Sequence, residues 1–372
     1  MTPLLKHSLQ ALAAAVLVGA ALYCSQKPQI SGAPGEGAAV SAGEGTAAVT
    51  AHPALEIDGP IFGTVYGITI AGDYPGGAEQ LRHDAEEVLN RINREISTFA
   101  PDSELSRFNS LASTEPFPVS EDTALMVAAS FQAGRALSGV MDITVGPLVD
   151  LWGFGHVKKP EGYVPSREEI EETRKSTGLG MLHLEYGYGG SYLKKDRPEM
   201  RVDLATVGEG FAADALAAML DGAGVENYMI HVAGAIRSRG ISPRGKPWLI
   251  AVEQPVNMIG AVNTVINPRG RAVSTAGSYR NYFEKDGRRY SHILDPRTGM
   301  PIDHATVSVT VIGDSALFTD AMDTGLMVLG ADEALKYANE HSLPIYCLVK
   351  EKDGFRARWS RAFAKYMITG GQ

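Results

Sequence analysis

The chain reads as an α+β protein built as one large catalytic unit, with mixed or antiparallel sheets flanked by helices. Three observations predict this. Apolar residues recur at helical spacing in the early, middle and late parts of the chain, at 78–97, 121–137, 209–222 and 314–329. From 228 onward the chain turns β-rich, with alternating and β-branched runs broken by Asp-Gly turn signals. No Pro/Gly-rich linker interrupts 55–370, which favours a single unit.

Residues 1–23 read as an export signal or anchor. Lys6 and His7 give a weakly basic start, and Leu9 to Tyr23 is apolar but short for a membrane span of ~20 residues. Cys24 follows where a bacterial lipoprotein places its acylated cysteine, although Tyr23 and Ala21 stand where a small residue and a leucine are usual. A lipoprotein signal, a cleaved signal and an uncleaved anchor remain open, and each puts the body on the extracytoplasmic, periplasmic side. Residues 24–54 are rich in Ala, Gly and Ser and read as a flexible tether, leaving 55–372 as the folded body.

Within the body, Ile61 to Ile70 alternates and predicts a strand. Leu81, Ala85, Val88, Leu89, Ile92 and Ile96 form the buried face of the first helix. A second helix over 121–137 has Ser120 as its cap and Gly139 as its stop. A charged helix follows from Ser166, and an Ala-rich helix over 209–222 ends at Gly222 and Gly224. Strands are predicted at 228–232, 248–253, 261–266, 272–275, 279–285, 289–294 and 307–312, with Asp286-Gly287 as a hairpin turn. Helices at 314–329 and 332–341 precede strands at 343–349 and 355–359, joined by Asp353-Gly354. Cys347 lies in an apolar run and reads as an inert core thiol.

The net charge of −9 argues against a nucleic-acid partner, which selects a basic face. It leaves room for a phosphate ligand, because a bound divalent cation can supply local positive charge.

Two clusters carry the chemistry. His292 lies at the end of an aromatic-rich strand, followed within six residues by Asp295, Arg297 and Thr298. A histidine takes a proton from a hydroxyl near neutral pH. Asp320, Asp323 and Thr324 share one face of a helix whose neighbours are apolar. Two carboxylates and a hydroxyl suit a hard cation such as Mg2+, and a cation relieves the cost of burying them. Together the clusters are the equipment of metal-assisted phosphoryl transfer. Asp203-Leu204-Ala205-Thr206-Val207-Gly208-Glu209-Gly210 enters a helix whose free N–H groups can seat a diphosphate, but without the Gly-Lys-Ser/Thr of a P-loop. Met141-Asp142 and Trp152-Gly153-Phe154-Gly155 supply an acid among apolar and aromatic groups, suited to core packing or to a flat ring. Asp102 to Asn109 reads as a turn and cap or as a loop over a ligand.

Taken in order, Phe62-Gly63-Thr64, Asp102 to Asn109, Met141 to Pro147, Asp203 to Asp214, Ser274 to Tyr279, Ser291 to Gly299 and Asp320 to Leu326 resemble the FAD:protein FMN transferase family, known as ApbE. The resemblance runs from about Ile61 to Met367. It implies transfer of the FMN half of FAD to a Thr or Ser hydroxyl of a flavin-carrying subunit of a membrane redox complex, with release of AMP. It implies Thr206, Asp320, Asp323 and Thr324 as Mg2+ ligands and His292 as the base. Phe62, Phe99, Val140, Met141, Asp142, Asp203, Glu209 and Leu294 are implied as FAD contacts. The chain departs from the family pattern at Glu209, often Lys, and at Ala233-Gly234-Ala235, usually Gly-Gly-Asp. Phe62 and Phe99 replace the common Met and Tyr. Two other readings use the same residues: a periplasmic FAD pyrophosphatase, and a lipoprotein that binds FAD without turnover.

Overall fold

The computed structural model describes residues 52–160, 162–253, 262–279 and 281–368. The predicted signal and nearly all of the tether lie outside the described residues. The body reaches back past position 55, because His52 N–H donates to the Pro243 carbonyl at 2.8 Å and the first strand opens at Ala54.

The chain begins with a hairpin, β1 (Ala54–Ile61) and β2 (Thr64–Ala71). The strand expected over 61–70 is therefore split by a turn at Phe62 and Gly63, both left-handed at φ 51° and 78°. Such paired positive angles match the twist of a two-residue hairpin, and a phenylalanine there is unusual. Helices α1 (Gly77–Ile96), α2 (Glu104–Ser110) and α3 (Glu121–Ala136) follow, with the short strand β3 (Phe117–Val119) between the last two. Ser103 and Ser120 cap α2 and α3 through their hydroxyls. Then come α4 (Gly146–Leu151), α5 (Arg167–Arg174), and strands β4 (Leu182–Gly187) and β5 (Gly190–Lys195). Helix α6 runs Ala205–Gly222, four residues longer at its start than its pattern predicts. Strands β6 (Tyr228–Val232), β7 (Ala235–Arg239), β8 (Ile250–Glu253), β9 (Val262–Ile266) and β10 (Ala272–Gly277) come next. They lead to β11 (Tyr282–Lys285), β12 (Arg288–Ser291), β13 (Leu294–Asp295), β14 (Met300–Pro301) and β15 (Thr306–Gly313). The chain closes with α7 (Ala316–Leu329), α8 (Ala331–Glu340), β16 (Ile345–Glu351), β17 (Gly354–Trp359) and a 3-10 turn over Arg361–Tyr366.

The α+β expectation holds. Eight strands form one sheet in the order β1-β2-β6-β7-β10-β15-β16-β17, antiparallel at every junction. Helices α1, α3, α6, α7 and α8 cover one face with a large apolar core. The other face packs on the β8–β9 ribbon and the C-terminal turn through Ile250, Ile266, Tyr346 and Phe363. Because both faces are covered, every residue of β15 is buried, Thr306, Ser308 and Thr310 as well as the valines between them. Cys347 sits in β16, fully buried, with its thiol pushed up to about 12 by burial.

The strands of the small sheet β3-β5-β4 escape the sequence reading, although Leu182 and Leu184 alternate with polar residues in β4. That sheet is tied to α2 by Lys195, which is buried and donates to the Phe108, Asn109 and Met200 carbonyls at 3.1, 3.4 and 3.2 Å. The strand expected over 289–294 breaks at His292 and Ile293, between β12 and β13.

Candidate functional site

The first part of the site lies where α6 and α7 cross. Gly210 permits the crossing, because a Cβ there would strike the Ala316 carbonyl. The Asp214 carboxylate accepts from the Ala316 and Leu317 N–H groups at 3.0 and 2.9 Å and so caps α7 from the neighbouring helix. Asp320 then faces α6: its Oδ2 accepts from Gly210 N–H at 2.7 Å and its Oδ1 from the Ser274 hydroxyl at 3.3 Å. Asp320 and Asp323 are 6% and 1% exposed. Burial, then Asp323 and then Glu209 push the Asp320 carboxyl well above its usual range, and burial does the same to Asp323. Thr324 donates to Asp323 Oδ1 at 3.2 Å.

Thr206 falls in the first turn of α6, not on the entering loop where it was expected, and Glu209 and Gly210 follow it on the helix. Thr206 Oγ1 is buried without a hydrogen-bond partner. Glu209, three residues on and thus on the same helix face, accepts from Gly234 N–H at 3.3 Å. Ala233, left-handed at φ 46°, opens that turn. The Ala-Gly-Ala segment thus meets α6 with a backbone donor instead of a carboxylate.

The second part is a pair of extended segments. Val145 bridges Arg201, and Asp203 N–H donates to the Ile143 carbonyl at 2.8 Å. From the other side the Asn109 amide brackets Val202, donating to its carbonyl at 2.8 Å and accepting from its N–H at 2.7 Å. Asp142 accepts from the Thr144 N–H and hydroxyl at 2.7 and 2.6 Å, and Asp203 accepts from Ala205 N–H at 2.9 Å. Burial raises both carboxyls. Met141 packs beside Gly325, one residue from Thr324, which joins this part to the acidic one.

The third part carries His292. Its backbone N–H and its Nδ1 both approach the Asn281 carbonyl, at 3.1 and 2.9 Å. A carbonyl only accepts, so Nδ1 holds the proton and Nε2 keeps a lone pair. The half-buried ring has its pKa lowered by burial, partly offset by the Asn281 carbonyl. Phe154 meets it edge-on at 6.4 Å and also packs on Phe283, which stacks on Tyr290. Trp152 Nε1 donates to the Gly299 carbonyl at 2.8 Å, tying α4 to the strap that follows His292. Asp295 holds Arg297 through Nη2 at 2.8 Å.

A solved structure described as "Flavin Transferase ApbE from Vibrio cholerae" superposes with a TM-score of 0.77 at 40% identity, covering 84% of this chain and 100% of that one. The apo flavinyl transferase ApbE of Pseudomonas stutzeri gives 0.78 at 35% identity, covering 86% of this chain and 99% of that one. An "FAD:protein FMN transferase" of Escherichia coli strain K12 is 41% identical over 356 residues, 95% of this chain and 97% of its own. One of Klebsiella pneumoniae strain 342 is 43% identical over 323 residues, 87% of this chain and 92% of its own. The ApbE family profile matches residues 62–348. The chain belongs to the ApbE family. Every residue assigned above to the three parts lies within the stretch that the ApbE profile covers.

Several expectations from the ApbE resemblance need adjustment. Val140, Met141 and Leu294 were expected to line a flavin pocket, but their side chains are buried in apolar clusters, Leu294 against Leu148, Trp152 and Ile170. Phe99 is 69% exposed on the turn after α1, so it can offer a ring face but encloses nothing. Phe62 is partly buried at the tip of the first hairpin. Among the described residues no three His, Cys, Asp or Glu side chains converge as a metal cluster. The expected Mg2+ set fits differently: two dry carboxylates that repel each other, with hydroxyl oxygens, one of them the unpartnered Thr206. All are hard oxygen donors, the kind a small divalent cation selects. Ser274, Asn109 and Asp214 lie in segments that carry the resemblance, but their roles, like that of the Asn281 carbonyl, depend on contacts across the fold that no segment shows.

Proposed function

We propose that the chain transfers the FMN half of FAD to a Thr or Ser hydroxyl of a partner flavoprotein subunit, with Mg2+ as cofactor and AMP as the leaving group. The observation that carries this reading is the α6–α7 crossing of an ApbE-family chain, where two buried carboxylates of raised pKa meet the first turns of α6, the helix that also carries the buried, unpartnered Thr206 hydroxyl. Asp320, Asp323, Thr324 and Thr206 would hold the metal. When bound, Mg2+ supplies charge neutralisation at the diphosphate.

The chain's residues do the rest. Nε2 of His292 takes the proton from the acceptor hydroxyl. The freed oxygen forms a bond to the FMN phosphorus, the phosphorus–oxygen bond to AMP breaks, and AMP leaves with the bond pair. Asp142, Asp203 and Glu209 orient the nucleotide, and Phe62 and Phe99 offer faces to its rings. The partner is a flavin-accepting subunit of a membrane redox complex. The body works on the periplasmic side, tethered to the membrane through lipidated Cys24; the apolar run before Cys24 and the small-residue stretch after it support this. Mass spectrometry of the mature N-terminus tests the lipid.

The transfer reading is tested by incubating purified protein with FAD, Mg2+ and an acceptor peptide. Flavin fluorescence retained on the peptide after denaturing electrophoresis, and lost with EDTA, is the expected result. Free FMN and AMP with no labelled peptide would replace transfer by hydrolysis, and FAD retention without AMP would replace it by storage.

A further inference from the structure

Helix α4 ends in Asp150, whose mostly buried carboxylate anchors a closed ring of charge. Its Oδ2 takes Arg201 Nη1 at 3.0 Å and its Oδ1 takes His156 Nδ1 at 3.0 Å. Val157 N–H also reaches Oδ1, at 3.4 Å. Arg201 Nη2 lies 3.0 Å from His156 Nε2 and 3.3 Å from Nδ1, so the guanidinium sits against the imidazole rather than on one lone pair. Each of the three side chains thus contacts both others. Gly155 makes the ring possible, because a Cβ there would run into the Asp150 carboxylate.

This ring touches two parts of the site. On one side Arg201 is bridged to Val145 and leads directly into Asp203, and all three side chains act electrostatically on the Asp203 carboxyl. On the other side His156 ends the loop that carries Phe154, and Phe154 is the ring packed edge-on against His292. An apolar contact would also close this loop, but three polar side chains in mutual contact around one carboxylate narrow the arrangement further, which is what a site under geometric constraint requires.

We propose that Asp150, His156 and Arg201 are positioning residues for flavin transfer, holding Phe154 against His292 at one end and Asp203 toward the nucleotide at the other. None of them touches the reacting atoms. The proposal rests on the reading of His292 as the base.

Its test uses the full-length protein and three variants, Arg201→Met, His156→Ala and Arg201→Lys, with FAD, Mg2+ and the acceptor peptide. Expected is a fall in kcat of about tenfold for Arg201→Met and His156→Ala, with KM for FAD changed less than about threefold. Loosening Phe154 also lets water onto the His292 ring, so the acid limb of the rate profile moves to higher pH. Arg201→Lys, which keeps the cation, recovers part of the rate. Wild-type kcat and pH profile in His156→Ala overturn the proposal, as does a lowered melting temperature with kcat and profile unmoved. Should Arg201→Met fail to fold, His156→Ala, whose side chain is partly exposed, decides alone. His292→Ala separates the two levels: if it transfers like wild type, the base assignment falls; if it is inactive while His156→Ala is normal, only the ring's role falls.

Discussion

At Asp320 and Asp323 the pKa shift has a definite sign. Both folded-state values are raised, so the native protein without metal binds protons that the unfolded chain has already lost. Metal-free stability therefore declines as pH rises from about 4, the unfolded carboxyl value. Bound Mg2+ reverses the trend, because it needs both groups ionised. Asp320→Asn should raise the metal-free melting temperature by about 2 °C while removing the rise that Mg2+ gives the wild type. Thermal melts with EDTA and with Mg2+ check this, and a Mg2+ response that survives the substitution removes Asp320 from the ligand set. His292 has the opposite shift for its type: a lowered value keeps the ring neutral at pH 7. The acid limb of kcat should consequently lie below about pH 6.5, the ordinary imidazole value. His292→Ala should abolish transfer yet leave FAD binding within about threefold, read by flavin fluorescence. Lys195 is a structural cation, with its pKa pushed down to about 8 by burial and still protonated at neutral pH. Lys195→Met takes a donor from the Phe108, Asn109 and Met200 carbonyls, of which Phe108 keeps Leu111 N–H, and should cost about 2–4 kcal/mol in urea unfolding. His292 and the acidic pair were legible because their residue types and spacing carry the chemistry themselves. Lys195 and Asn109 were not, since a lysine becomes a cap and an asparagine a clamp only when distant carbonyls arrive.

Helix α7 shows how an element can depend on another for its start. Ser315 accepts from Phe318 N–H, as a cap read from sequence would, but Asp214 of α6 takes the Ala316 and Leu317 N–H groups. Asp214 also holds Arg237 at 3.2 Å. Asp214→Ala should cost about 1–2 kcal/mol by loss of the cap and loosen the turn that leads to Asp320. The expected signature is a weaker Mg2+ response alongside the stability loss; a stability loss with the Mg2+ response intact would confine Asp214 to capping. Long amphipathic helices such as α1 were legible because burial on one face imposes the period. The strands β4 and β5, and the break at His292, were not. β4 does alternate, with Leu182 and Leu184 facing inward, but the segment is short, and the break at His292 is set by the distant Asn281 carbonyl.

Across the whole molecule, one antiparallel sheet covered on both faces explains how deeply its central strand is buried. β15 is enclosed along its whole length, hydroxyl residues included, because it is flanked by β10 and β16 and overlaid by helices on one side and the β8–β9 ribbon on the other. The motif order was the strongest global signal, since it spans segments that only the fold brings together. What it could not convey is how they meet, which is through Gly210, Trp152 and the Ala233-Gly234 turn. Cys347 lies one strand in from the β17 edge, beneath α8 and beside Leu348, and burial outweighs its cross-strand neighbour Arg358 in setting its thiol. An alkylating reagent can reach that sulfur only after the β15–β16–β17 corner has come apart. Peptide-resolved iodoacetamide labelling at this position should hence be slow in the native protein, accelerate with denaturant in step with global unfolding, and slow further when Mg2+ and FAD are bound. The protein thus carries its own clock for the opening of its most protected region, at a point remote from the chemistry.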